Sequence, residues 1–147
     1  MMNIHYILNE QGEPIPEPDL LKWGKWYETA ERHVGDTHFG DIHVSTVFLS
    51  LPHVSNEVGN DDPMLYETMV FADNATLKRL SELSETDDRS IVLLFTNALA
   101  MNAPSWKAEQ WDIQKRYATR AEAVEGHKNM CTFIEVCLAK NLLEVKT

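Results

Sequence analysis

The sequence predicts an α+β domain: an antiparallel sheet of about four to five strands, with N- and C-terminal helices packed on it and a helical insertion. Three observations lead there. Ile42–Leu51 (IHVSTVFLSL) is rich in β-branched and aromatic residues. Ile42, Val44 and Phe48 fall on one parity, Val47, Leu49 and Leu51 on the other, so a central strand covered on both faces is expected. Apolar residues recur at helical spacing in Leu20–Val34 and again in Val124–Leu138. Between them, Phe39-Gly40-Asp41-Ile42 carries the Gly-Asp signal of a two-residue hairpin.

In chain order, Ile4–Leu8 reads as a short strand and Asn9-Glu10-Gln11-Gly12 as its turn. Pro14, Pro16 and Pro18 favour an extended return. Asp19 caps a helix expected to reach about His33, with Leu20, Trp23, Tyr27, Ala30 and Val34 on its core face and Trp26 near the edge of that stripe. The hairpin would pair Phe39 with Ile42 and His38 with His43. Pro52–Pro63 is a polar, acidic loop, and Met64–Phe71 (MLYETMVF) a strand antiparallel to the first. Its parity puts Glu67 in an apolar row with Leu65, Met69 and Phe71, where an unpaired carboxylate is costly; Arg116 is the expected partner. Asp73 or Asn74 caps a short helix bearing Leu77, Leu80 and Leu83. Ser90–Asn102 fits helix or strand, with helix favoured by the spacing of Ile91, Leu94, Phe95, Ala98 and Met101. Trp111–Ala118 is the last strand. Thr119 and Glu122 form a capping box opening the last helix, whose buried face is expected to hold Val124, His127, Cys131, Ile134 and Leu138. Residues 1–147 thus read as one domain, with 74–110 as the insertion.

The chain has a formal net charge of −10. Residues 1–73 hold thirteen acids and three bases, while 74–147 hold ten of each, so the whole excess lies in the first half. Nonspecific nucleic-acid binding needs a basic surface and is not expected. No basic region precedes the first apolar residues, and the longest apolar run, Ile91–Phe95, is far short of the roughly 18 residues of a membrane span. A soluble intracellular protein is expected. Cys131 and Cys137, six apart in a helix, lie about 9 Å apart along its axis and are expected to stay reduced and separate.

Four blocks, LLKWGKWYETAERHV, VSTVFLSL, MLYETMVF and RYATRAEAVEGH, resemble in order a group of small proteins of tailed phages and prophages. The resemblance spans roughly residues 4–72 and 111–130. In compact members the ETMVF block is followed closely by the RY-T block; here residues 74–110 are longer and more helical. The resemblance implies a phage or prophage origin and carries no mechanism.

Candidate sites are few. Arg116, Thr119 and Arg120 stand at the start of the last helix, where free N–H groups and the helix dipole favour an anion. Trp26 and Tyr27 offer stacking surface and Arg32 a further cation. With Glu67, these residues make up the expected ligand-binding set, placed where the first helix meets the last. His38 and His43, with Asp36 nearby, are weak zinc candidates because a close third ligand is lacking, so no metal and no cofactor is expected. His127 reads as a hydrogen-bonded core residue. No Walker loop, dinucleotide fingerprint or nucleophile elbow is present. The expected function is a phage accessory protein acting by binding in the host cytoplasm, through capture of a host protein or a small anionic ligand such as a nucleotide-like signal. A homo-oligomer is compatible with this. A small hydrolase using histidines and acids, and a virion or assembly component, are the alternatives.

Overall fold

A computed structural model describes residues 5–54, 63–86, 88–90, 107–109 and 112–145. The fold is α+β. A two-stranded sheet pairs β1 (Tyr6–Leu8) with β2 (Pro14–Pro16), and a five-stranded antiparallel sheet contains β3 (His33–Phe39), β4 (Ile42–Val54), β5 (Pro63–Phe71), β6 (Lys107–Glu109) and β7 (Asp112–Tyr117). The order in the larger sheet is β3-β4-β5-β7-β6. The helices described in full are α1 (Leu20–Thr29), α2 (Asn74–Ser84) and α3 (Arg120–Ala139).

The local signals explain most boundaries. Asn9 Oδ1 accepts the Gln11 and Glu13 N–H groups, and Gly12 takes the positive φ that closes the first turn. Asp19 accepts from the N–H groups of Leu21 and Lys22, and Asp73 from that of Thr76 at 2.8 Å. Thr119 Oγ1 accepts the Glu122 N–H and donates to Glu122 Oε1. Gly40 adopts φ +59° in the β3–β4 turn, and the register Phe39↔Ile42, His38↔His43 is as expected.

Several expectations are corrected. The first helix ends at Thr29 rather than near His33, because the hairpin draws His33–Phe39 into β3. No α1 residue is fully buried: Leu20 and Tyr27 are exposed, and Trp26 makes the core contact, edge-on to Phe48 at 5.9 Å. The strand at the centre is β5; β4 is the longest strand, extends to Val54 with an irregularity after Phe48, and has Leu51 exposed. β6 was not expected. On α3, Val124 is exposed, and the buried face runs through Ala123, Gly126, Met130, Cys131, Phe133, Ile134 and Cys137. The helix-or-strand choice for 90–102 concerns positions of which all but Ser90 lie outside the described residues, as do Ile4, the acidic loop 55–62 and Trp111.

Among the described residues, α1, α2 and α3 lie on one face of the large sheet, the inner face. Two apolar clusters form there. One joins Ile42, Val44, Val70 and Ile113 to Leu77, Leu80 and Leu83 of α2 and to Met130, Phe133, Ile134 and Cys137 of α3. The other joins Phe48, Leu65, Tyr66, Tyr117 and Ala123, with Tyr6, Leu8, Trp26 and Val34 against it. Each buried aliphatic or aromatic side chain contributes about 1.5–3 kcal/mol. Between the clusters runs a polar cross-strand row, Gly35↔Thr46↔Thr68.

Candidate functional site

Strand parity sorts the polar residues into three places. The first is the buried row. His127 of α3 stands over Gly35 and reaches both neighbouring hydroxyls: Nε2 lies 2.9 Å from Thr37 Oγ1 and Nδ1 lies 2.7 Å from Thr46 Oγ1. Thr46 Oγ1 in turn lies 2.5 Å from Thr68 Oγ1. A neutral imidazole has one donor and one acceptor nitrogen, and the threonine hydroxyls, which both donate and accept, can serve either one. Burial lowers the His127 pKa from its ordinary 6.5, against a smaller opposing pull from Asp36. His127 is hydrogen-bonded as expected, but half-buried at the margin of the core rather than within it. The motif was half legible: the parity of VSTVFLSL and MLYETMVF puts Thr46 and Thr68 on one face, but nothing local says that α3 brings His127 to them.

The second place is the end of the sheet where α1 meets the start of α3. Phe48, Tyr66 and Tyr117 form one cross-strand row on β4, β5 and β7. The Arg32 carbonyl accepts the Phe48 N–H, and the Arg32 guanidinium donates to the Phe48 carbonyl at 3.1 Å. That guanidinium also lies 4.2 Å from the centroid of the Tyr27 ring. The hydroxyls of Tyr66 and Tyr117 are buried and have no hydrogen-bond partner among the described residues. Burial raises both, Tyr117 to about 12. Thr68 comes near enough to moderate the Tyr117 value, but the geometry falls short of a hydrogen bond. The Arg120 charge acts on Tyr66 in the opposite sense to burial. Gly126 makes room here, since a Cβ at that position would fall 2.0 Å from the Tyr117 hydroxyl.

The third place is the outer face of the sheet. Its rows are His33↔Val47↔Glu67↔Arg116, Asp36↔Ser45↔Met69↔Gln114, and His38↔His43↔Phe71. Arg116 Nε donates to Glu67 Oε2 at 2.8 Å, with the carboxylate side chain only 11% exposed. The pairing inferred from the apolar row is therefore present. In the last row the His38 and His43 rings stack, with centroids 4.2 Å apart and planes 4° from parallel. Both Nε2 atoms face Asp36 Oδ1, His43 in a short contact and His38 at 3.6 Å. The His43 hydrogen bond, then the histidine charges, hold the Asp36 carboxyl below its ordinary range, against a smaller opposing burial effect.

The expected ligand-binding residues thus divide by parity. Trp26, Tyr27, Arg32, Thr119 and Arg120 gather around the inner row that ends in Tyr117. Glu67 and Arg116 face the other way, with the sheet between them and Trp26. The third ligand found wanting beside His38 and His43 is present as Asp36. Cys131 and Cys137 are both free and buried, and burial pushes the Cys137 thiol to about 12, so neither is an activated nucleophile. Comparison with protein-family models, curated proteins and solved structures gives no match.

Proposed function

We propose that this chain is a phage- or prophage-encoded accessory protein that acts by binding inside the host cytoplasm, serving counter-defence by capturing a nucleotide-like anion. The four sequence blocks support the origin. The observation that carries the ligand class is the pair of buried phenols, Tyr66 and Tyr117, without hydrogen-bond partners among the described residues, Tyr66 lying within the influence of Arg120. A buried donor left unpaired costs about 1–3 kcal/mol, which a ligand rich in acceptor oxygens recovers. Arg120 in the first turn of α3 adds charge and helix dipole, and the Arg32–Tyr27 stack adds a second cation and a ring.

Calorimetric titration of linear and cyclic nucleotides tests this. Binding is expected for wild type, and weaker binding for Arg120→Ala and for Tyr66→Phe, which removes only the hydroxyl. Binding indifferent to both changes places the ligand elsewhere. No binding to any nucleotide points to a host protein as the captured partner.

A small hydrolase is the second reading, favoured by the exposed Asp36–His43 contact, since a carboxylate orienting an imidazole is two parts of a nucleophile-activating relay. Ester or phosphoester turnover lost in His43→Ala supports it.

A further inference from the structure

We propose that Asp36, His38 and His43 on the outer face of the β3–β4 hairpin form a binding site for a divalent transition metal of the zinc class. The fold makes the cluster from three sequence features. Alternation puts Asp36 and His38 on one face of β3. The two-residue turn at Gly40 sets His43 opposite His38. Cross-strand diagonals lie within reach of long side chains, and this brings Asp36 to His43.

The donor atoms of the three residues lie within 4.8 Å of one another. A metal held at about 2.0–2.2 Å by nitrogen and oxygen needs donors roughly 3.3 Å apart in a tetrahedron. The 3.6 Å from His38 Nε2 to Asp36 Oδ1 is close to that edge. Coordination requires χ rotations that unstack the two parallel rings so that their in-plane Nε2 lone pairs converge on one point, with the Asp36–His43 hydrogen bond replaced by coordination. Two imidazoles and a carboxylate suit zinc, nickel, copper or iron, whereas calcium and magnesium take oxygen donors. Three protein ligands leave a coordination position for water or an external ligand. The negative excess of residues 1–73 favours cation approach. This site lies across the sheet from the phenol pair, so it stands or falls independently of nucleotide capture.

The test is equilibrium dialysis of the metal-stripped full chain against zinc, followed by cobalt(II) visible absorption. A single zinc per chain is expected, with affinity lowered at least about tenfold in His38→Ala and in His43→Ala and preserved in His33→Ala. Asp36→Asn, nearly isosteric, serves as the variant least able to disturb the fold, and thermal melts of every variant exclude unfolding as the cause of loss. Zinc retained by both histidine variants, or no zinc bound by wild type, overturns the site. Zinc undiminished in Asp36→Asn overturns the carboxylate as a ligand.

Discussion

Gly35 of β3 lies directly against the imidazole of His127 on α3, so close that a Cβ at position 35 would fall 2.6 Å from the ring carbons. The ring cannot retreat without giving up one of its two threonine partners. Gly35→Ala is expected to lower stability by about 1–3 kcal/mol through overpacking. That outweighs the roughly 0.4–1 kcal/mol gained by stiffening the unfolded chain. Urea unfolding of the variant measures it; unchanged or increased stability would mean that the ring is not held there.

The Glu67–Arg116 pair is expected to be worth more than a surface ion pair, because the carboxylate is nearly buried while the guanidinium side chain is about one-third exposed. Glu67→Gln and Arg116→Gln should each destabilise by about 1–3 kcal/mol. The double variant should lose less than the two singles added together. Strict additivity in denaturant unfolding would show that the two side chains do not interact.

His127 makes stability pH-dependent in a definite direction. Its folded pKa lies below 6.5, so the unfolded chain takes up the proton first. The contribution is fully present above pH 6.5 and is lost as pH falls through the lowered folded value. Asp36, also lowered, acts in a separate window below its ordinary 3.8. Unfolding midpoints measured downward from neutral pH should therefore fall, and His127→Gln should flatten the part of the curve nearest pH 6.5. An identical slope in the variant would assign the titration to another group.

The legible parts of this fold are those set by short-range chemistry. The Gly40–Asp41 turn, the caps at Asp19, Asp73 and Thr119, and the parity of β4 and β5 all follow from a few neighbouring residues. The same parity led to the Glu67–Arg116 pair. What failed needed tertiary information. The spacing of Ala30 and Val34 continues the α1 pattern, but pairing with β4 claims the chain for β3. Val124 sits at helical spacing from His127, yet α3 turns its Ala123 and Gly126 side inward because Tyr117 and Gly35 fit there. Arg116 and Arg120 are close in sequence, but one is on a strand facing outward and the other on a helix over the inner face. At the hairpin, the histidine pair was readable, whereas the reach of Asp36 to His43 depends on the geometry of the folded sheet.

Two kinds of histidine are thus distinguished: His127, with both nitrogens engaged inside the fold, and His38 with His43, stacked on an exposed face and aimed at one carboxylate. Long-range imidazole ¹H–¹⁵N spectra recorded through a zinc titration examine this division most directly. The expected result is that the Nε2 resonances of His38 and His43 move together and saturate, while His127 keeps a single neutral tautomer with unchanged shifts. Movement of His127, or stationary His38 and His43 resonances at saturating zinc, would contradict it.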